Sequence, residues 1–171
     1  AGGGGVDPAQ LAAAKKAVDE EFAGGRPIAF DQLKAGVVLD GSMHAFLKFS
    51  TSWCGHCVKM QPDWEALAKT VHKDHKGCRI VSVDCEKDAE ICQAFGVQGY
   101  PTLMLLKATK TPEGELGYEP VPYQEARDFG AMLGFLNKNG AIKAKNWLLP
   151  IKAKIVNLLQ TIFKIEVSMP K

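Results

Sequence analysis

Several features that would place the protein in a familiar class are missing from its 171 residues. No run approaches the roughly 18 uninterrupted apolar residues of a transmembrane helix. The sequence shows neither a signal-peptide pattern at its start nor a retention signal at its end, and because processing removes signals, their absence does not locate the protein. Five cysteines are too few for a disulfide-stapled scaffold. One Cys-x-x-Cys pair, without a second pair or a His-x-x-x-His, argues against tetrahedral zinc.

Charge is unevenly distributed along the chain. The formal net charge is +2, but residues 141–171 contain six lysines and one acid, so residues 1–140 are slightly acidic. A slightly acidic body argues against a nucleic-acid partner. With 46% apolar and 23% charged residues, the composition is that of a soluble globular protein. The length fits one domain with extensions.

The most informative stretch is Trp53-Cys54-Gly55-His56-Cys57. An apolar run before it predicts a strand, and apolar residues at three- and four-residue spacing after it predict a helix. Cys54 should therefore lie at a strand-to-helix junction, where free N–H groups and the helix dipole favour a thiolate. A lowered pKa turns a cysteine into a nucleophile. We therefore predict a thiol–disulfide exchange site.

The rest of the chain predicts alternating strands and helices. The predicted strands are Ile28–Phe30, Met43–Ser50, Arg79–Asp84, an apolar and central Thr102–Leu106, and Tyr118–Tyr123. The predicted helices run from an Asp7 cap to Phe22, from Cys54 to His72 with a kink at Pro62, from Asp88 to Phe95, and from Gln124 to Asn139. Residues 109–122, rich in Pro, Gly, Glu and Thr, predict a long exposed hairpin loop. This order predicts an α/β sandwich with a mixed sheet.

These motifs resemble those of protein disulfide isomerases. The resemblance includes the CGHC motif, Lys59 with Met60 and Pro62, and Gly99-Tyr100-Pro101-Thr102, and it covers roughly residues 28–139. It implies a thioredoxin fold, a central mixed β-sheet flanked by helices. We divide the chain into a Gly-rich leader and surface helix over 1–27, a thioredoxin-like domain over 28–140, and a basic amphipathic extension over 141–171.

The resemblance assigns roles to the CGHC residues. Cys54 would be the exposed attacking thiolate, and Cys57, one turn later and more buried, the resolving cysteine. His56 between them would favour the Cys54 thiolate and so make the disulfide more oxidising than a thioredoxin's. The redox-active center would need no metal and no organic cofactor.

Four further residues receive roles from the same resemblance. Trp53 would shield one side of the sulfurs, and Tyr100 and a cis Pro101 would contact an extended substrate segment. Arg127, four residues after Tyr123, would swing toward the site and lower the pKa of the second thiol. A surface arginine is the alternative for Arg127.

Lys48 departs from the family pattern. Six residues before the first cysteine the family keeps a buried acid that accepts a proton from the resolving thiol, and this sequence has lysine there. A neutral Lys48 could act as a base, whereas a charged Lys48 would favour thiolate without accepting a proton. The alternative is a lysine whose ammonium extends to the surface.

The remaining cysteines and histidines are expected to be structural. Cysteines at the positions of Cys85 and Cys92 form a structural disulfide in many isomerase domains, and free buried thiols are the alternative. Cys78 would then be a small buried hydrophobe. We expect the three histidines outside the motif to lie on the surface: His44, His72 and His75.

The C-terminal extension contains a second pattern. Apolar residues from Ile151 to Phe163 recur on one face of a predicted helix, with lysines elsewhere. This helix could pack on its own domain, dock in a partner protein through residues 147–165, or lie on an anionic membrane surface.

Two functions follow from these predictions. The first is a thiol–disulfide oxidoreductase that forms, reduces or rearranges disulfides in protein or peptide substrates, and so aids protein folding, in the endoplasmic reticulum lumen or another secretory compartment. The alternative is a structural or assembly subunit of a larger, membrane-associated complex in another compartment such as an organelle lumen. In that case the domain would be a scaffold and the C-terminal helix an anchor.

Overall fold

Two clusters of buried side chains, on opposite faces of a five-stranded sheet, organise the protein in the computed structural model, which describes residues 5–143. The helices are α1 (Pro8–Ala23), α2 (Ala35–Val38), α3 (Gly55–Asp74), α4 (Ala89–Ala94) and α5 (Phe129–Lys138). The strands are β1 (Ile28–Ala29), β2 (His44–Ser50), β3 (Cys78–Asp84), β4 (Thr102–Lys110) and β5 (Leu116–Pro122). The predicted helix over 147–165 lies outside the described residues.

Strand order in the sheet is β1-β3-β2-β4-β5. β2 runs parallel to β3 and antiparallel to β4, so the sheet is mixed, as predicted. The central strand is β2 rather than β4. Alternation along β2 sends Phe46 to the cluster beneath α3 and α5, and Leu47 to the cluster beneath α1, α2 and α4. Both faces of the sheet are therefore covered, and the carboxyl end of β2 leads into the CGHC motif.

The hairpin between β4 and β5 differs from the prediction. Pairing continues to Lys110 and resumes at Leu116, so only residues 111–115 form the loop rather than 109–122. Polar residues remain in the ladder because backbone hydrogen bonds do not depend on an apolar side chain, and β5 is an edge strand. The turn itself is closed by an N–H···O bond of 2.9 Å from Thr111 to Glu115.

Two helices also differ from their predicted bounds. α5 begins at Phe129 rather than near Gln124, because the Asp128 carboxylate accepts a hydrogen bond of 2.9 Å from the Ala131 amide and caps the helix there. α3 is one continuous helix with Pro62 inside it. The proline therefore does not divide α3 into two helices.

His72 is not on the surface, so that prediction is wrong. Its side chain is fully buried, its Nε2 accepts a hydrogen bond of 2.8 Å from the Ile80 amide, and its ring stacks on Phe22 at 4.4 Å. Burial lowers the pKa of His72 to about 4. His44 is half-buried, and its Nδ1 accepts a bond of 3.0 Å from the Ala108 amide. Histidine thus serves here as a neutral partner for backbone N–H groups.

Within residues 5–143, no helix combines the length and the apolar character that crossing a membrane requires.

Candidate active site

Cys54 and Cys57 form a disulfide at the N-terminus of α3, with 5.2 Å between their Cα atoms. Cys54 is the N-cap residue, and its Sγ accepts a hydrogen bond of 3.2 Å from the Cys57 amide. Free N–H groups of the first helical turn stabilise negative charge at this position. The arrangement therefore favours a thiolate on Cys54 once the disulfide is reduced.

The two cysteines are nearly equally covered in the disulfide form. Cys54 is 6% exposed and Cys57 is 4% exposed. The expectation that Cys54 is exposed at the helix tip is wrong for this form. Residue type and spacing alone do not reveal how far a side chain at a helix N-terminus is covered by the rest of the fold.

Two aromatic side chains lie beside the disulfide loop. Trp53 is 71% exposed, and its ring meets that of Tyr100 edge-on at 5.8 Å. The Tyr100–Pro101 peptide bond is cis. Residues 47 positions apart are thus brought together at the edge of the site. An exposed tryptophan supported by a second ring suits contact with an extended chain.

A groove next to the motif brings together three residues assigned by resemblance. His56, Pro101 and Arg127 all line it, with Tyr123 in its wall. The Tyr123 hydroxyl donates a hydrogen bond to the Ala126 carbonyl, and burial raises the pKa of Tyr123 to about 12. The phenol is therefore a fixed neutral donor in the wall.

The charges that line this groove are of both signs, and in the described part of the chain only Glu125 among its acids has an ion-pair partner. Its three acids all accept hydrogen bonds: Asp63 from the Phe129 amide at 3.1 Å, Asp128 from the Ala131 amide, and Glu125 from Lys138 at 2.8 Å. Lys59 and Arg127 also line the groove, and both are exposed and have no ion-pair partner among residues 5–143. A chain entering the groove therefore meets unpaired cations.

Lys48 is buried rather than extended to the surface. It is 3% exposed, its Nζ donates to Gln61 Oε1, and it lies 5.5 Å from the centre of the Trp64 ring. Burial lowers the pKa of Lys48 to about 8, partly offset by Glu65. The surface interpretation of Lys48 is wrong, because the α3 face above β2 covers its ammonium.

Lys48 is the inner end of a hydrogen-bonded chain. Gln61 Nε2 donates to Glu65 Oε1 at 3.0 Å, and Glu65 is exposed. Cys57, Gln61 and Glu65 follow at intervals of four, so they share one face of α3. Sequence reasoning missed Gln61 and Glu65, although that spacing could have found them. The chain connects a buried amine to solvent.

The other cysteines are placed away from the CGHC turn. Cys85 and Cys92 are joined in a disulfide with 5.8 Å between Cα atoms. Cys78 is free and fully buried, and burial raises its pKa to about 12. Cys78 is therefore a packing residue. In the part of the chain that the structure describes, no group of three or more His, Cys, Asp or Glu side chains could hold a metal ion.

The thioredoxin family model matches residues 31–122. The chain is 34% identical over 134 residues to the "Thioredoxin domain-containing protein 5 homolog" of Drosophila melanogaster, a match that covers 73% of this chain and 30% of the relative. It is 33% identical over 129 residues to "Protein disulfide-isomerase 1" of Dictyostelium discoideum, covering 74% of this chain and 33% of the relative. The chain thus spans about a third of the length of these relatives.

Solved structures show the same fold. The Trx4 domain of ERdj5 superposes with a TM-score of 0.55 at 24% identity, and the match covers 66% of this chain and 94% of that one. Zinc-bound human ERp44 also has a TM-score of 0.55, at 19% identity, and the match covers 66% of this chain and 32% of that one. At these identities the likeness establishes the fold alone.

Proposed function

Since the chain belongs to the thioredoxin family, we propose that it is a thiol–disulfide oxidoreductase that exchanges disulfides with protein substrates. The relatives named protein disulfide isomerases support this activity. The observation that carries it is the Cys54–Cys57 disulfide at the N-terminus of α3, with the Cys57 amide donating to the Cys54 sulfur.

The reaction proceeds through a mixed disulfide. The Cys54 thiolate attacks a substrate disulfide, an S–S bond forms between Cys54 and one substrate sulfur, and the other substrate sulfur leaves as a thiolate that takes up a proton. The Cys57 thiolate then attacks the Cys54 sulfur, which closes the Cys54–Cys57 disulfide and releases the second substrate thiol. Two electrons pass from the dithiol to the substrate, and the reverse sequence oxidises a substrate dithiol.

The surrounding residues have distinct roles in this proposal. His56 stabilises the thiolate and so the reduced form, while Trp53, Tyr100 and Pro101 contact an extended substrate segment. Arg127, exposed and unpaired among the described residues, approaches the site to lower the pKa of the second thiol. The couple works without metal or organic cofactor. Relatives named disulfide isomerases support a site of action in the endoplasmic reticulum lumen or another secretory compartment.

Lys48 limits the second step. Deprotonation of Cys57 requires a proton acceptor, and a lysine whose pKa is about 8 is charged in most molecules at pH 7. Lys48→Glu supplies a carboxylate instead, so turnover of a disulfide substrate at pH 7 should rise severalfold. Unchanged turnover would eliminate this role for Lys48.

Insulin reduction by the purified protein tests the proposed activity. Cys54→Ser should abolish it, and Cys57→Ser should accumulate a mixed disulfide with the substrate that appears on a non-reducing gel. Cys78→Ala, the matched control, removes a buried thiol outside the couple and should retain activity. A wild type that does not reduce insulin, together with a Cys57→Ser variant that traps no substrate, would refute the proposal and favour the scaffold function.

A further inference from the structure

The loop that follows β3 is hydrogen-bonded to the loop that leads into the CGHC motif. The Cys85 amide donates to the Ser50 carbonyl at 2.9 Å, and the Ser52 amide donates to Glu86 Oε2 at 2.8 Å. Ser52 is two residues before Cys54. A side chain 34 positions away in sequence therefore holds the backbone immediately before the attacking cysteine.

Glu86 is itself held in position by its own loop. The Glu86 amide donates to Asp84 Oδ1 at 3.0 Å, and the Asp88 amide donates to the Asp84 carbonyl at 2.8 Å. The neighbouring Cys85 is tied to α4 through Cys92. These constraints fix the main chain from which Glu86 reaches Ser52. The contact therefore links two ordered segments.

We propose that Glu86 is a positioning residue that fixes the turn before Cys54 and biases the Cys54–Cys57 couple toward its disulfide form. The inference rests on the proposed function. The Ser52 N–H donates its hydrogen bond to the Glu86 carboxylate. The same carboxylate brings a negative charge next to the turn that must carry the Cys54 thiolate.

The direction of the bias follows from charge. Two residues span at most about 7 Å of chain, so the carboxylate lies within roughly one Debye length of the Cys54 backbone. Like charge disfavours ionisation, so Glu86 raises the pKa of Cys54 and destabilises the reduced form. Glu86 thus opposes His56, and the two residues together set the redox balance of the site.

Glu86→Gln separates charge from geometry, because glutamine keeps an acceptor oxygen for Ser52. We expect the equilibrium with glutathione to shift about threefold toward the dithiol, and the pKa of Cys54, followed by thiolate absorbance, to fall. Both changes should shrink in 1 M salt. Glu90→Gln, which removes an exposed carboxylate on α4, is the matched control and should leave both values unchanged. Equal values for Glu86→Gln and wild type would overturn the inference.

Glu86→Ala removes the acceptor as well as the charge, and amide NMR reads its effect. Hydrogen exchange at Ser52 should accelerate in Glu86→Ala and stay slow in Glu86→Gln, and unchanged exchange in both would contradict the positioning role. The glutathione equilibrium and the exchange rates need no protein substrate. If the wild type fails to reduce insulin, the proposed function is wrong. If the glutathione equilibrium and the hydrogen exchange at Ser52 are the same in the wild type and in both Glu86 variants, only the Glu86 inference is wrong.

Discussion

At the scale of single residues, Lys48 shows how a buried charge is accommodated. Its ammonium is satisfied by Gln61 and faces the Trp64 ring, and the Ser82 and Leu103 backbones flank it in the sheet. Burial lowers its pKa to about 8. A depressed lysine pKa means that the charged form is less stable in the fold than in the unfolded chain. Lys48 therefore costs stability at neutral pH.

Lys48→Met should show this cost as a function of pH. Below pH 8 the folded and unfolded chains are both protonated at Lys48, so the buried charge destabilises the parent by its full amount. Between pH 8 and the unfolded value of 10.5 the unfolded chain binds more protons, and the stability of the parent rises. Lys48→Met should therefore be more stable than the parent at pH 7, and this difference in the free energy of unfolding, measured in urea, should fall by about 2 kcal/mol from pH 7 to pH 10.

An exposed lysine provides the control for this experiment. Lys69→Met, on the outer face of α3, should change stability by less than about 0.5 kcal/mol at both pH values. A constant difference between Lys48→Met and the parent across the pH range would show that Lys48 keeps an ordinary pKa.

His72 predicts a pH dependence of the same sign, in the acid range. Its pKa is lowered from 6.5 to about 4, so the unfolded chain binds more protons between these values and stability falls as the pH falls. The wild type should lose about 2 kcal/mol between pH 7 and pH 5 through His72. His72→Gln, although less stable at pH 7, should have a flatter profile of unfolding free energy against pH in urea. A slope equal to that of the wild type would contradict a buried, neutral His72.

At the scale of elements, α3 and the segment before α5 together form a groove with unpaired cations. Lys59 comes from the second turn of α3 and Arg127 from the residues just before the Asp128 cap. Asp63 and Asp128 accept hydrogen bonds from backbone amides but keep their charge, so the two cations select an incoming chain within a groove of mixed charge. Selection by charge acts mainly on the rate of association, so it weakens as the salt concentration rises.

Lys59→Glu should shift the charge preference of the groove toward basic substrate segments. Against peptides whose disulfide is flanked by glutamate, kcat/KM should fall about fivefold at low salt, and against lysine-flanked peptides it should rise. Lys69→Glu makes the same charge change on α3 outside the groove, and we expect it to leave the ratio of the two kcat/KM values unchanged. A ratio insensitive to Lys59→Glu would show that the groove does not contact the flanking residue.

At the scale of the whole molecule, α1 belongs to the packed body. Ala14 and Val18 enter the cluster that contains Leu47 and Val81, and Phe22 covers His72. The division of the chain at residue 27 therefore separates segments that share one core. A leader helix of this kind stabilises the sheet rather than merely preceding it.

Val18→Ala tests how strongly α1 is bound to the domain. Val18 is 1% exposed, so its truncation should cost about 2 kcal/mol and lower Tm by about 4–8 °C. Leu11→Ala, at a position 43% exposed on the same helix, should cost less than about 0.5 kcal/mol. Similar small losses from both substitutions would mean that α1 contributes little to the core.

Local patterns explain why so much of the fold was predictable. Apolar alternation or runs marked the strands, and Asp7 with Pro8 marked the start of α1. Boundaries were less predictable than the elements. Strand β4 continues through polar residues because a partner strand is present, and this depends on neighbours in space. The start of α5 is set locally, because the Asp128 carboxylate accepts a hydrogen bond from the Ala131 amide, and the prediction placed it too early.

The sequence by itself predicted the chemistry, because two cysteines at this spacing before a helical pattern, together with the motifs around them, indicate a redox pair. It also determined the fold class, since periodicity is a local property of the chain. Only the tertiary structure decided where each charge lies. Burial of Lys48 and His72, the hydrogen bond from the Phe129 amide to Asp63, and the reach of Glu86 to Ser52 all depend on segments distant in sequence. A pKa depends on solvent exposure and on neighbours in space, and neither can be read from one residue and its sequence neighbours.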